Sequence, residues 1–314
     1  VEGCAEMKPT IVVLKGGISS ERSVSLNSGE AVLSALKENY PDAYSIDLKE
    51  AKVPEGLSAD EHIVFSVMHG TFGEDGQFQR QLDDCGIQYT GCDALSSERC
   101  MDKALTKNMV SKKGVPVIPG LTYSTGNVPT VAELTESLGE DVVFKPSREG
   151  SSVGLAFAKG EADIQKQLSE QVTQEWVVEK RVYGRELTVG VLDGKAMGVV
   201  EIIPDSGVYD YESKYTPGST RYEFPAKLNE AVTHQLQKYA EQAFHALGCR
   251  DYARIDFLLT EDVHPWFLEI NTLPGLTATS LLPKSASCIG LSFPELAQRM
   301  VEPALKRYHL HQTA

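Results

Sequence analysis

Near its C-terminal end the chain reads WFLEINTLPG (residues 266–275), which places a carboxylate and an amide, Glu269 and Asn271, two residues apart just before a Pro-Gly turn. In a strand this spacing sends both side chains to one face and Trp266, Leu268 and Ile270 to the other. Upstream, residues 252–259 of DYARIDFLLTEDVHP are also strand-like and TEDVHP is a turn cluster, so an antiparallel hairpin is expected. A hairpin centred between Asp262 and Val263 sets Asp256 opposite Glu269 and Arg254 opposite Asn271. A slip of one residue would change these pairs. Opposed carboxylates with Cβ atoms about 4.5–5.5 Å apart repel. A divalent cation removes the repulsion, and Mg²⁺ favours carboxylate oxygens with water and substrate phosphates completing its shell. The alternative for the hairpin alone is a solvated polar face on a sheet edge.

Metal sites of this kind usually hold phosphate, so a phosphate loop is expected elsewhere. KPSREGSSVG (145–154) fits: Lys145 closes a strand, and the Gly- and Ser-rich loop brings backbone N–H groups and hydroxyls close to an anion. It is not a G-x-x-x-x-G-K-[ST] loop, which excludes a P-loop fold on motif grounds. EWVVEKRVYGRE (175–186) adds an apolar strand followed by Glu179, Lys180 and Glu186. Glutamate suits ribose hydroxyls or an adenine amino group, although charged residues alternate in many strands.

The elements that position these residues follow from the rest of the chain. Its 314 residues leave room for two or three domains. The formal charge of −14 and the lack of a dense Lys/Arg run argue against nucleic-acid binding. Apolar runs are too short for a transmembrane helix, and VEGCAEMKP lacks the features of a signal peptide. The six cysteines are scattered and are expected to be unpaired thiols of a reducing compartment; the seven histidines form no H-E-x-x-H, so zinc chemistry is not expected. TIVVLKGG (10–17), DAYSIDL and HIVFSVMHG (62–70) alternate with helical sequence, predicting an open parallel α/β domain over roughly residues 1–100. Its strand ends, Gly16–Gly17 and His69–Gly70, are where such sheets place ligands. MDKALTKNMVSKKGVPVIPG opens a second unit, and Asp193–Gly194 signals a hairpin. The long, Tyr- and Gly-rich segment 205–226 is expected to be a functional loop, a lid that orders when substrates bind.

Seven motifs occur in order: KGGISSERSVSLNSG, MHGTFGEDG, MDK, KPSREGSSVG, YDYESKY, RID and EINTLPGLTATSLLP. With them the chain resembles the D-alanine–D-alanine ligase family of the ATP-grasp superfamily across about residues 10–305. KPSREGSSVG and YDYESKY are specific; EINTLPG is shared more loosely. The resemblance implies a three-part ATP-grasp architecture, α/β and α+β, with an N-terminal open parallel-sheet domain (1–102), a central lid domain (103–186) and a C-terminal catalytic domain (187–314). It implies that ATP phosphorylates one D-alanine and that the amine of a second attacks the acyl phosphate, making D-alanyl-D-alanine for peptidoglycan. ATP and two Mg²⁺ ions, with Mn²⁺ able to substitute, are the implied cofactors, and a cytoplasmic homodimer without membrane or nucleic-acid partners is the implied setting.

Residue by residue, the resemblance places Asp256, Glu269 and Asn271 on the metals. Lys103 and Lys145 contact phosphate, and Lys214 reaches the γ-phosphate from the long loop. Glu179, Val182 and Glu186, with Lys180 beside them, form the adenosine site. Arg254 and the Gly275 N–H stabilise the oxyanion. Glu21 takes the first substrate's ammonium, with Ser151 and Tyr215 as its partners, and His69 orients substrate groups. Ser280 and Leu281 take the second substrate's carboxylate. Leu273 and Thr279 stand where many members carry Ser and His, and Lys15 where an apolar residue is common. A depsipeptide ligase joining D-alanine to D-lactate is the rival within the class, and Tyr215 favours the dipeptide. A nucleotide-binding regulatory protein with a dead site is the rival outside it, which the intact Asp256, Glu269, Asn271 and Arg254 oppose.

Overall fold

The computed structural model describes residues 8–150, 153–171, 174–207 and 218–312. The first strand, β1 (Thr10–Gly16), is apolar on both faces, and its alternation divides it between two cores: Ile11 and Val13 face one, Val12 and Leu14 the other. It is therefore central. With β2 (Tyr44–Leu48), β3 (His62–Ser66) and β4 (Gln88–Tyr89) it forms an all-parallel sheet in the order β2-β1-β3-β4, as the β-α-β pattern predicts. Helix α1 (Arg22–Leu36) leaves the end of β1, and α2 (Gln77–Asp84) follows β3.

Helices α3 (Ala94–Met101) and α4 (Lys103–Ser111) share one junction, where Asp102 caps α4 by accepting from Leu105 N at 2.9 Å. The next sheet is antiparallel, in the order β5-β8-β6-β7, from β5 (Gly120–Tyr123), β6 (Asp141–Pro146), β7 (Ala156–Lys159) and β8 (Trp176–Lys180). Helices α5 (Val131–Leu138) and α6 (Glu161–Glu170) cover its core face; Thr130 and Glu133 form a capping box on α5.

The last sheet, in the order β11-β10-β9-β12-β13, uses β9 (Arg185–Leu192), β10 (Lys195–Pro204), β11 (Thr220–Glu223), β12 (Tyr252–Leu259) and β13 (Pro265–Asn271). Asp193 and Gly194 both take positive φ, 50° and 72°, which the tight β9–β10 turn requires. Helix α7 (Glu230–Leu247) packs on this sheet together with α4 through Leu236, Phe244 and Val110. Helices α8 (Leu281–Ser287) and α9 (Phe293–Gln312) close the chain. Arg307 of α9 forks onto Asp251, with both bonds 2.7 Å, and donates to the Tyr89 carbonyl at 2.8 Å; Asp251 also accepts from Gly91 N at 2.9 Å. This clamp ties the first sheet to the start of β12.

The β12–β13 hairpin pairs Asp256 with Glu269 and Arg254 with Asn271, as expected. The expected face partition does not hold throughout. Phe257 pairs with Phe267, so Leu268 is an extra residue, and a bulge reverses the alternation on its turn side. Phe267 and Ile270 enter the core, whereas Leu268 lines a cavity beside Glu269.

Candidate active site

Two cavities meet at the end of β13. One, of about 430 Å³, lies between the central and C-terminal sheets and is lined by Lys145, Glu179, Lys180, Val182, Glu186 and Leu268. The other, of about 350 Å³, lies between the parallel sheet and the 271–281 turn and is lined by Glu21, His69, Arg254, Asn271, Gly275, Ser280 and Leu281. Lys103, Glu149 and Glu269 line both. Ser151, Lys214 and Tyr215 lie outside the described residues, as do residues 208–217 of the expected lid, whose later part is not loop but strand β11 paired with β10.

Asp256, paired with Glu269 across the hairpin but lining neither cavity, is only 3% exposed. Arg254, two residues away on the same strand face, forks onto it (Nε to Oδ1 3.0 Å, Nη2 to Oδ2 2.8 Å), and Thr188 Oγ1 donates to Oδ1 at 2.6 Å. A carboxylate offers about four lone-pair positions. These three bonds leave one, on Oδ2. Asn271 Oδ1 accepts from Leu273 N at 2.9 Å, which holds the amide toward the turn and leaves its oxygen one more lone pair. Among the described residues no group of three His, Cys, Asp or Glu side chains is placed to hold a metal ion. The donor set here is two opposed carboxylates and an amide, all oxygen, which fits a hard cation.

The larger cavity carries buried charge. Glu179, 3% exposed, bridges two lysines: Lys145 Nζ donates to it at 2.6 Å, and Lys107 bonds its other oxygen. Burial works against the Glu179 charge, but Lys145 and then Lys107 outweigh it and hold the carboxyl below its usual range. Burial also opposes the Lys145 charge; Glu179, Glu269 and Glu186 overcome it and raise that ammonium above its ordinary value. At Lys107 burial wins over Glu179, and the pKa falls. Replacing Glu179 by Gln is expected to cost about 3–5 kcal/mol, because two buried ammonium groups lose their partner. Since its folded pKa is depressed, this contribution is present above the ordinary carboxylate pKa of about 4.3 and is lost as pH falls through the folded value. Thermal melts of wild type and variant should therefore differ most near neutral pH and converge in acid; an equal gap at both would remove the charge from the account.

Lys103 is set by its neighbours. Its N–H donates to the Ser147 carbonyl at 2.9 Å and its ammonium to the Glu149 carbonyl, while Asp102 accepts from Arg148 at 2.9 Å. Residues 147–149 of the expected phosphate loop and the start of α4 are thus tied together. At the cavity mouth, the Arg181 guanidinium stacks on Phe157 and Tyr183, 4.4 and 4.8 Å from the ring centroids.

In the smaller cavity, Glu21 occupies the N-cap position of α1 without capping it through its side chain. Its carboxylate lies over Gly70, where any Cβ would come within 3.0 Å of Oε2 and 2.8 Å of Ser19 Oγ; the φ of +81° there also favours glycine. His69, 5% exposed, lies between Glu74 Oε1 (3.2 Å) and Ser28 Oγ (3.3 Å), and Ser28 Oγ accepts from Leu276 N at 3.3 Å. The 273–281 turn is thereby linked to the end of β3. Ser280 Oγ accepts from Thr277 N at 3.1 Å and lies 2.9 Å from Thr277 Oγ1, which in turn is 3.1 Å from Thr279 Oγ1. Lys15 has a local explanation: its stem lies flat on Gly29 and its ammonium reaches Glu30.

Sequence reasoning missed Lys107, Glu74, Asp102, Glu149 and the Arg185–Glu201 pair, whose two bonds of 2.7 and 2.6 Å line the larger cavity. Glu74 and Asp102 lay inside quoted motifs and were open to finding; Lys107 and Glu201 carry no local signal.

Two antiparallel sheets gripping a lysine-rich cavity, joined to a second cavity with a carboxylate at one side and an arginine at the other, define an ATP-grasp ligase. A family model described as the D-ala D-ala ligase C-terminus matches residues 109–302. A D-alanine–D-alanine ligase of Methylacidiphilum infernorum is 42% identical, covering 96% of this chain and 97% of its own length. The crystal structure of the D-alanine–D-alanine ligase of Bacillus anthracis complexed with ATP superposes with a TM-score of 0.84 at 29% identity, covering 97% of this chain and 100% of that one. The VanG D-Ala:D-Ser ligase of Enterococcus faecalis gives 0.81 at 29% identity, with 94% and 99% covered. The chain belongs to the D-alanine–D-alanine ligase family.

Proposed function

We infer that the chain joins two D-alanines to D-alanyl-D-alanine at the expense of ATP, through an acyl phosphate, as a step in making peptidoglycan precursor. The observation that carries this reading is the meeting of the two cavities at Lys103, Glu149 and Glu269. A γ-phosphate delivered from the larger cavity reaches a carboxylate held in the smaller one only there.

In this reading the adenosine lies along Lys180, Val182 and Glu186, with Glu179 setting the charge of Lys145 beneath the phosphates. Lys103 and Lys145 hold phosphate oxygens, joined by Lys214 from the segment outside the described residues. Asp256, Glu269 and Asn271 would hold two Mg²⁺ ions, or Mn²⁺ in their place, which would supply positive charge against the phosphates. Glu21 takes the first D-alanine's ammonium, with Ser151 and Tyr215 behind it and His69 beside it. Arg254 and the Gly275 N–H face the oxygen on which charge develops when the second amine attacks. Ser280 and Leu281, at the start of α8, receive the second carboxylate. The units 1–102, 103–186 and 187–314 are proposed to move as bodies around these cavities, in a cytoplasmic homodimer. No helix among the described residues is long and apolar enough to cross a membrane.

Opposite anchors at Glu21 and Arg254 fix two substituents of the first substrate's Cα, and the cavity wall fixes the third, so one enantiomer is selected. Glu21→Gln is expected to weaken the first D-alanine by roughly ten- to 150-fold, the worth of one charge-assisted hydrogen bond of about 1.5–3 kcal/mol, with ATP affinity little changed. Steady-state kinetics in each substrate check this; weakened ATP with intact D-alanine kinetics would move Glu21 to the nucleotide site. The function itself is tested by phosphate release from ATP with a panel of D- and L-amino acids and D-lactate. Release with D-alanine, weak release with D-serine and none with L-alanine is expected. Release without any amino acid, or a D-lactate product at neutral pH, would overturn the dipeptide assignment.

A further inference from the structure

Cys92, Cys100 and Cys249 come together where α3 and the end of α7 meet the start of β12. Cys100 Sγ and Cys249 Sγ are 3.5 Å apart although 149 residues separate them in sequence. Cys92 Sγ, on the other side of Cys249, lies 3.6 Å from the Arg250 carbonyl oxygen and 3.9 Å from that of Tyr252. No catalytic or binding role described above uses these sulfurs. Cys100 lines the substrate cavity, so a small solute there meets the cluster at that end. At Cys92 the Cys249 hydrogen bond and then burial push the thiol up; at Cys100 burial does so; at Cys249 the Cys100 hydrogen bond leads and burial adds to it. All three therefore rest mainly as protonated thiols, so attack on peroxide runs through the small ionised fraction and is slow.

We propose that Cys100 and Cys249 are an oxidisable pair that closes to a disulfide when hydrogen peroxide enters the substrate cavity, and that closure turns the enzyme off through Lys103. The Cys100 sulfur attacks one peroxide oxygen and the O–O bond breaks. The thiol proton goes to the departing oxygen, which leaves as water, and Cys100 becomes a sulfenic acid. The Cys249 sulfur then attacks the Cys100 sulfur, its proton leaves with the hydroxyl as a second water, and the S–S bond forms. Two thiols are oxidised by two electrons and one peroxide is reduced; a dithiol reverses the step.

A disulfide of about 2.05 Å requires the sulfurs to approach by roughly 1.5 Å. Cys100 and Cys249 lie in the same hydrophobic core, so closure draws on both sides, and the share that falls on Cys100 pulls the end of α3. Two residues later Asp102 caps α4 and holds Arg148, and the next residue is Lys103. The disulfide stands on the sulfur geometry alone; its effect on turnover rests on the assignment of Lys103 to phosphate.

The test treats the full chain with hydrogen peroxide, blocks remaining thiols with N-ethylmaleimide under denaturing conditions, and maps the peptides by mass. A Cys100–Cys249 cross-link is expected, with Cys92 and the exposed Cys85 alkylated. D-alanine-dependent phosphate release should fall in proportion to the linked fraction and return with dithiothreitol. ATP with D-alanine should slow the linking by filling the cavity, and Cys249→Ser should keep its turnover through the same exposure. Both thiols alkylated after peroxide, or a Cys92–Cys249 link instead, would overturn the pair. Full turnover in linked protein would overturn the switch. Where Cys249→Ser does not fold, the wild-type map and its reversal by dithiothreitol decide alone.

Discussion

Replacing Arg254 by alanine is expected to lower turnover by about 10²–10³-fold and to destabilise the protein by about 3–5 kcal/mol. Both effects come from one side chain. Its fork holds Asp256, which is 3% exposed and otherwise bonded to Thr188. Without the guanidinium a buried carboxylate is left uncompensated. The same side chain lines the smaller cavity, where it is proposed to meet the charge that develops as the acyl phosphate is attacked. Arg254→Lys separates the roles: it restores a charge beside Asp256 without the planar fork, so stability should recover in part and turnover should not. Turnover at saturating ATP and D-alanine, with calorimetric melts, reads both. Near-normal turnover in Arg254→Ala would reduce Arg254 to a salt bridge within its strand.

Glu269→Gln is the second large effect, an expected loss of about a hundredfold or more in turnover, since even indirect partners of metal ligands cost 10- to 100-fold. Glu269 is the one proposed metal ligand that lines both cavities. Its stability signature is different. Relief from the opposed Asp256 stabilises, while Lys145 loses part of the negative field that keeps it charged. The two changes oppose each other, so the metal-free melt should move by no more than about 1 kcal/mol. Added Mg²⁺ should raise the melting temperature of wild type and much less that of the variant. Normal turnover in Glu269→Gln, or an equal Mg²⁺ effect on both proteins, would remove Glu269 from the metal set.

The hairpin was legible because alternation and a turn cluster both act over a few residues. Together they set Asp256 against Glu269 across β12 and β13. The bulge at Leu268 was not legible, because one extra residue in a strand leaves no mark on composition and shows only when both strands are paired. The parallel sheet followed from strand-like runs alternating with helical sequence, and the β9–β10 pairing from the Asp193–Gly194 turn, whereas the three-part division came only through the resemblance. Charge partners over long separations did not follow. Nothing near Lys107 marks it as the second partner of Glu179, which is 72 residues away. The thiol cluster is the same case, since Cys100 and Cys249 meet only once α3 packs beside α7. The site residues of the smaller cavity were readable through motif resemblance and not through local physics: a lone Glu21 or Ser280 looks like any helix-entry residue.

The central claim is that the first D-alanine is activated at its carboxylate by the γ-phosphate of ATP where the two cavities meet. The most direct measurement supplies D-alanine whose carboxylate carries heavy oxygen and analyses the inorganic phosphate by mass spectrometry. Transfer of one heavy oxygen from each activated carboxylate into phosphate, with ADP as the other product, is predicted. Unlabelled phosphate, or heavy oxygen appearing in AMP, would contradict the account.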